Sequence, residues 1–202
     1  ASMLVGHISV EEETEIIRKI CIDDEITVNN QIFESEMGHL SRNRAIAYLL
    51  ESKGLISNVE ETLEFYTKIC SLEVTAKSLA TMGMVFANDG KTLRNKDDRI
   101  FSKRTTEIVK TIMLTCGMYD RSGRFAVDVG IPTKSGVGGG LVSVSDGLAG
   151  IGIYGPALDD KGNCIAGPPA LKYLSQELQL HLFRKDSLLD RLIKLRLKGK
   201  LK

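Results

Sequence analysis

The chain has almost no excess of charge of either sign. Its 202 residues include 27 lysines and arginines against 26 aspartates and glutamates, a formal net charge of +1 at neutral pH. A balance this close predicts no general affinity for nucleic acid or for a membrane surface. No apolar run is long enough to span a bilayer. The chain also opens without a signal or transit pattern, although an artificial start or an internal cut at Ala1-Ser2 remains open.

Cysteine and histidine are also few. The four cysteines form no Cys-x-x-Cys pair, and the three histidines show no metal-ligand spacing. We therefore expect no metal site, and free thiols in a reducing compartment. The cytoplasm is the expected location, with the mitochondrial matrix left open. The residues concerned are Cys21, Cys70, Cys116, Cys164, His7, His39 and His181.

Capping signals and periodic apolar residues predict a helical first half. Ser9 with Glu12 and Asn58 with Glu61 have the spacing of capping boxes. The segment 26–33 is rich in β-formers and is expected to be extended. The predicted helices cover residues 9–22, 41–54, 58–70, 74–87 and 105–114.

The second half favours strands. Arg124 to Val129 alternates as a strand would, and residues 141–144 and 149–154 flank an Asp-Gly turn typical of a hairpin. Pro168-Pro169 begins a last helix through about Phe183. Helices first, then antiparallel strands, then a helix predict one α+β domain over residues 1–183, with helices packed on an antiparallel sheet. Residues 184–202 are expected to form a basic amphipathic extension, which is solvated, packs on a partner subunit or contacts an anionic surface.

The stretch from Cys116 to Gly140 concentrates the chemistry. Tyr119 follows the expected helix end at Gly117, and Lys134-Ser135 precedes the glycines 138–140. A phenol, an ammonium and a hydroxyl beside glycines suit a site where a backbone N–H faces a developing oxyanion. The alternative is a bulge or a close packing point, and the order of a phosphate-binding P-loop is absent.

Several segments occur in a specific order. They are Phe33-Glu-Ser-Glu36, Arg42-Asn43 before an apolar helix, Phe65-Tyr66 with Cys70-Ser-Leu-Glu-Val74, the Ala-Asn-Asp-Gly90 helix end, Cys116-Gly-Met-Tyr-Asp120 and Lys134-Ser-Gly-Val-Gly-Gly139. In this order they resemble the serine-dependent glutaminases, relatives of the β-lactamases and penicillin-binding proteins. The resemblance runs to about Phe183. It implies a β-lactamase-like fold and hydrolysis of L-glutamine to L-glutamate and ammonia through a serine acyl-enzyme, without a cofactor.

The resemblance also implies roles for five residues. Glu36 would receive the α-ammonium of the substrate, and Asn43 and Tyr66 would hold its α-carboxylate. Tyr119 would hydrogen-bond the catalytic serine and help to move its proton, and the Val137 N–H would form half of the oxyanion hole. A phenol with an ordinary pKa of ~10 is a poor base at neutral pH, so a neighbouring ammonium that lowers this pKa would help.

The residues themselves agree with these roles, but each has a simpler interpretation. Asn43 is expected in the first turn of a helix, where free N–H groups favour an anion, yet its own helix could satisfy it. Glu36 is expected just before that helix, yet a lone glutamate is usually solvated. Tyr66 lies on an apolar helical face and could belong to the core, with Cys70 buried beside it. Lys134 to Gly136 is similar to the Lys-Thr-Gly element of β-lactamases.

One departure from the family is serious. The family's Ser-x-x-Lys turn supplies the nucleophile and its activating lysine, and no lysine here has a serine three residues before it. We therefore expect the chain to correspond to the later part of a glutaminase catalytic domain, without its N-terminal catalytic segment, and to be inactive alone. Exposed apolar surface predicts poor stability or pairing with another chain, and a homo-oligomer is the expected form.

Two other functions remain open. The chain could be a non-catalytic amino-acid-binding or regulatory fragment, which calorimetry with glutamine would separate from an enzyme. It could also belong to a penicillin-interacting acyl enzyme of the same superfamily, and the presence of Glu36 and Asn43 argues against this.

Overall fold

The computed structural model describes residues 1–95 and 98–183, so the expected extension 184–202 lies outside the described residues. The chain forms two compact units, Ala1–Val74 and Thr75–Lys202. Within the described ranges, no helix has both the length and the apolar character needed to cross a membrane. The expected domain over 1–183 stays a prediction.

The first unit consists of four helices. They are α1 (Val10–Cys21), α2 (Asn30–Gly38), α3 (Ser41–Ser52) and α4 (Val59–Cys70). The predicted capping box at Ser9 is confirmed, because Ser9 Oγ accepts the Glu12 N–H while the Glu12 carboxylate accepts the Ser9 N–H. A small core of Leu40, Ala47, Val59 and Leu63 joins α3 to α4.

Two predictions in this unit are wrong in whole or in part. The segment 26–33 is extended at Asn29 but helical from Asn30, where α2 begins because the Asn29 side chain accepts the Ile32 N–H and caps the helix. Only Val28 forms a bridge, to Leu72, within this segment. The Asn58 capping box does not form, since Asn58 is in the left-handed region (φ 53°) and makes no side-chain cap, although α4 begins where predicted.

The second unit places helices around a small sheet. Its elements are α5 (Ala76–Ala87), α6 (Lys103–Cys116), a 3-10 turn (Tyr119–Arg121), α7 (Ser122–Asp128), β1 (Thr133–Ser135), β2 (Gly140–Ser145), β3 (Ala149–Tyr154) and α8 (Gly167–Leu178). The strands are antiparallel in the order β1-β2-β3. Thr133 pairs with Ser143, and Ser143 with Ile151.

Helices cover both faces of this sheet. On one face α5 lies so close that a Cβ added at Gly152 would be 1.9 Å from the Ala76 carbonyl oxygen, a contact that only glycine allows. On the other face Leu141 of β2 and Leu171 of α8 are fully buried in one cluster. The predicted α+β class, with helices packed on an antiparallel sheet, is confirmed.

The strand predicted from Arg124 to Val129 is wrong, because these residues belong to α7 and its C-terminal end. Phe125 and Val129 are buried, whereas Val127 between them is 72% exposed. Burial at positions i and i+4 is the pattern of a helix face, and alternation in the sequence could not distinguish it from a strand. The last helix ends at Leu178 rather than near Phe183, since Gln179 is left-handed (φ 55°).

Candidate functional site

Asn43 and Tyr66 line one groove of the first unit. Asn43 lies in the first turn of α3, as predicted, and Tyr66 lies on α4. The groove has a volume of about 700 Å³. Its other walls are apolar for the most part, with Ile46, Ala47, Leu50, Leu55, Ile56 and Leu63 among the lining residues. A polar amide and a phenol in an apolar groove suit a small ligand with one polar end.

Tyr66 is not a core residue. It is 45% exposed, while its neighbour Phe65 is 9% exposed and provides the buried aromatic of α4. Cys70 is exposed, so its expected burial beside Tyr66 is wrong. The buried face of α4 therefore includes Phe65 and excludes Tyr66 and Cys70.

Glu36 has a different position from the one expected. It lies inside α2 rather than in a loop before α3, and its carbonyl oxygen accepts the His39 N–H at 2.9 Å where the helix ends. Its side chain is exposed. Glu36 is not among the residues that line the Asn43–Tyr66 groove. The structure thus brings two of the three predicted recognition residues together.

Tyr119 opens a tight turn in the second unit. Gly117 ends α6, as predicted, and Tyr119 has φ 51°, a left-handed conformation that is uncommon for a bulky residue. Ser122 holds the turn: its Oγ accepts the Met118 N–H at 3.0 Å and donates to the Tyr119 carbonyl oxygen at 2.7 Å. Strained residues of this kind cluster at functional sites.

Lys134 lies over the Tyr119 ring. Its Nζ is 4.8 Å from the ring centroid, within cation–π range, and it also donates to the Ser135 carbonyl oxygen. The Ser135 N–H donates to the Gly117 carbonyl oxygen at 2.9 Å, which fixes β1 against the end of α6. The predicted proximity of an ammonium to the Tyr119 phenol is therefore present within this unit.

Val137 lies in the turn between β1 and β2. The turn is closed by N–H donation from Gly136 to the Gly140 oxygen at 2.9 Å and from Gly139 to the Gly136 oxygen at 3.0 Å. The Val137 N–H finds no acceptor in the part of the chain that the structure describes. Its side chain is 62% exposed. An N–H of this kind is available to a negatively charged oxygen.

A loop of residues 155–163 lies beside both groups. A Cβ added at Gly162 would be 3.4 Å from Val137 Cγ1 and 3.9 Å from Tyr119 Cε2, so Tyr119 and Val137 flank the same glycine. The sequence showed only a turn-rich loop here, and the run Asp159 to Asn163 was the signal that could have suggested a specific structure.

Asp159 organises this loop. Backbone N–H donation from Asn163 lowers the pKa of the Asp159 carboxyl below its ordinary 3.8, with help from the Lys161 N–H and the Arg121 guanidinium. The folded state therefore favours the carboxylate, and the stability that it contributes is present above pH 3.8 and lost as the pH falls through the lower folded value.

We expect Asp159→Ala to be less stable than the wild type at pH 7, and the difference to shrink below about pH 4. Urea unfolding of both proteins between pH 3 and pH 7 measures it. Asp160→Ala is the control, because the Asp160 carboxylate makes exposed ion pairs, with Arg121 at 3.3 Å and with Lys161 at 3.7 Å. A stability difference that is constant down to pH 3 would contradict the role given to the carboxylate.

In the described ranges, no three His, Cys, Asp or Glu side chains are grouped as a metal site would need. The second unit instead offers a phenol, an ammonium and a free backbone N–H on neighbouring turns. These groups can move a proton and stabilise an oxyanion.

Comparison with known proteins gives consistent results. The family model described as "Glutaminase" matches residues 4–183. Glutaminase 2 of Clostridium perfringens (strain 13 / Type A) is 50% identical over 174 residues, which cover 86% of this chain and 57% of that protein. A glutaminase of Clostridium botulinum (strain Hall) is 49% identical over 187 residues, 91% of this chain and 61% of the relative. The chain thus spans about three fifths of these curated relatives.

Solved structures show the same similarity. A probable glutaminase of Bacillus subtilis superposes with a TM-score of 0.81 at 36% identity, over 86% of this chain and 59% of that one. The covalent complex of Bacillus subtilis glutaminase YbgJ with 5-oxo-L-norleucine also gives a TM-score of 0.81 at 36% identity, over 90% of this chain and 66% of that one. At this identity the shared fold is that of the β-lactamase-like glutaminase structures, which confirms the fold implied by the resemblance.

Proposed function

Because this chain belongs to the glutaminase family, we propose that the protein containing it hydrolyses L-glutamine to L-glutamate and ammonia through a serine acyl-enzyme. The serine oxygen would bond to the carboxamide carbon, and its proton would pass to the nitrogen that leaves as ammonia. Water would then break the ester, release glutamate and restore the serine. No Ser-x-x-Lys occurs in residues 1–202, so the roles proposed for this chain are recognition, proton transfer and oxyanion stabilisation.

The observation that best supports this function is the arrangement around Tyr119. Lys134 Nζ lies 4.8 Å from its ring centroid, and a Cβ added at Gly162 would lie 3.4 Å from Val137 Cγ1 and 3.9 Å from Tyr119 Cε2. A positive charge beside a phenol favours the phenolate over the neutral form and so assists proton transfer. The free Val137 N–H nearby would stabilise the oxygen that becomes negative when the serine adds.

For the first unit we propose substrate recognition. Asn43 offers amide donors at the N-terminal turn of α3, where the helix dipole also favours an anion, and Tyr66 adds a phenol in the same groove. These two residues are proposed to hold the α-carboxylate. Glu36 is proposed to receive the α-ammonium, supported by its exposed carboxylate and by the family match.

The direct test is ammonia release from L-glutamine by the full-length protein. We expect turnover with L-glutamine, little with L-asparagine, and covalent labelling by 6-diazo-5-oxo-L-norleucine, the reagent used on the Bacillus subtilis glutaminase. Glutamine binding in calorimetry without ammonia release would instead favour a non-catalytic binding protein. No binding and no turnover would contradict the proposal.

We expect Glu36→Gln to raise the KM for glutamine by about 10–100-fold with little change in kcat. A charged hydrogen bond to the α-ammonium contributes about 1.5–3 kcal/mol, and each 1.4 kcal/mol is about tenfold. Steady-state kinetics measure this change. Glu34→Gln is the matched control, since Glu34 is another exposed glutamate of α2. An unchanged KM in Glu36→Gln would remove Glu36 from the recognition site.

We also propose that the protein forms a homo-oligomer and lies in the cytoplasm. Ile46, Tyr48 and Leu49 of α3 are each about half exposed, which is apolar area that a second copy could cover. The location rests on four free cysteines. Light scattering of the full-length protein tests the first of these proposals.

A further inference from the structure

The 155–163 loop connects the two turns that the proposed chemistry uses. At its start, Gly155 donates its N–H to the Gly139 carbonyl oxygen at 3.0 Å, two residues after Val137. At its end, Asn163 Nδ2 donates to the Met118 carbonyl oxygen at 3.4 Å, immediately before Tyr119. The loop therefore bonds to the Val137 turn at one end and to the Tyr119 turn at the other.

The middle of the loop lies near both side chains. A Cβ added at Gly162 would be 3.4 Å from Val137 Cγ1 and 3.9 Å from Tyr119 Cε2. Gly162 has φ 85°, which a residue with a side chain rarely adopts. A backbone that lies against both groups limits how far either can move away from the other.

The loop is itself held by polar contacts. Asp159 accepts the Lys161 and Asn163 N–H groups, each at 2.9 Å, and its carboxylate lies 3.0 Å from Arg121 Nε in the Tyr119 turn. The Asn163 side chain is fully buried, and its Oδ1 accepts no hydrogen bond in the described part of the chain. The loop is thus joined to the Tyr119 turn by the Arg121 ion pair and by Asn163 Nδ2.

Each turn is closed by its own hydrogen bonds, and the bond from the Ser135 N–H to the Gly117 oxygen joins β1 to the end of α6. Tyr119 has a left-handed backbone that is unfavourable for its residue type. Val137 has glycine at positions 136, 138 and 139, which leaves its N–H free to change direction. A fixed distance between the Tyr119 hydroxyl and the Val137 N–H therefore benefits from a second support besides the bond from Ser135 to Gly117.

We propose that the 155–163 loop is this support, with Gly162 and Asn163 as positioning residues that set the Tyr119 hydroxyl relative to the Val137 N–H. The inference rests on the proposed function for its kinetic consequence, but the contacts it uses are independent of any substrate. The loop makes no proposed contact with the reacting atoms itself.

The kinetic test uses Asn163→Ala in the full-length protein. We expect kcat for glutamine to fall by about 10–100-fold and KM to stay within about 3-fold, because a small displacement of a catalytic group affects turnover more than binding. The control is Lys161→Ala, on the same loop, where the exposed ammonium pairs with Asp160 at 3.7 Å. We expect this control to keep wild-type kinetics.

A second readout needs no activity. The chain has five tyrosines, and 3-fluorotyrosine labelling gives one fluorine NMR signal for each. The Tyr119 signal is the one absent from Tyr119→Phe. We expect it to shift or broaden in Asn163→Ala, with the Tyr154 and Tyr173 signals unchanged. Since Asn163 is buried and its loss also lowers stability, Arg121→Gln gives a milder test, because Arg121 is a 56% exposed residue that anchors the loop.

The outcomes separate cleanly. A selective change at Tyr119 in Asn163→Ala and Arg121→Gln supports the proposal, even if the protein does not hydrolyse glutamine, in which case only the proposed function fails. An unchanged Tyr119 signal in folded Arg121→Gln overturns the proposal. So does a change of all five signals together, which would mean that the loop supports the fold as a whole.

Discussion

Tyr119→Phe is expected to lower kcat for glutamine hydrolysis by about 10²–10³-fold while KM changes less than about threefold. Proton transfer by a positioned group typically contributes about 10²–10⁴-fold to a rate, and only the hydroxyl is removed. The phenyl ring that remains keeps its face toward Lys134 Nζ, so the cation–π contact at 4.8 Å does not depend on the hydroxyl. The loss should therefore appear in turnover and not in folding.

Ammonia release under steady-state conditions measures the effect, and thermal unfolding verifies that the variant is folded. Tyr173→Phe is the matched control, because Tyr173 lies on α8 with a 64% exposed side chain and no proposed role. A Tyr119→Phe enzyme with wild-type kcat would leave the phenol without a chemical role, and the proton path would have to be sought elsewhere.

The parts of the fold that the sequence predicted well are those with local signals. The Asp146-Gly147 pair lies between β2 and β3, and Ser9 caps α1, each because the local residues prefer that backbone geometry. Gly117 also ends α6, with an ordinary αR backbone (φ −71°). These positions depend on short-range geometry, which composition and spacing express directly.

The wrong predictions come from sequence patterns that fit both a helix and an extended segment. Phe125, Val127 and Val129 alternate, but Phe125 and Val129 are also one helical turn apart. Packing of α7 against Leu171 and Met118 selected the helix, and this packing is invisible in a window of six residues. Asn29 was similarly able to end an extended segment or cap a helix, and the structure uses it as a cap.

The candidate site was predictable only in part for the same reason. Tyr119, Lys134 and Val137 lie within one stretch, and their proximity follows from the short β1-β2 turn and the bond from Ser135 to Gly117. The bond between Asn163 and Met118 joins residues 45 apart and has no local signal. Glu36 does precede α3, as predicted, but its place inside a helix was missed because the start of α2 was not recognised.

Gly117→Ala is expected to lower the free energy of unfolding by about 3 kcal/mol or more. A Cβ at this position would lie 1.8 Å from the Thr133 carbonyl oxygen and 2.3 Å from the Met113 carbonyl oxygen. Both are backbone atoms that cannot rotate away, so β1 would have to move away from the end of α6. Overpacking of this kind costs about 1–3 kcal/mol, and more when the contact is rigid.

The matched control is Gly123→Ala, six residues along the chain in α7, where an added Cβ would meet nothing within 4 Å. There alanine should raise stability by about 0.5 kcal/mol, because it loses less backbone entropy on folding than glycine. Urea unfolding of both variants measures the free energy of unfolding, which should fall in Gly117→Ala and rise in Gly123→Ala.

In Gly117→Ala the Ser135 to Gly117 hydrogen bond should also be lost. Lys134 would then move away from Tyr119, and turnover of the remaining folded protein should fall. A Gly117→Ala protein as stable and as active as Gly123→Ala would show that the end of α6 does not position Lys134 against Tyr119.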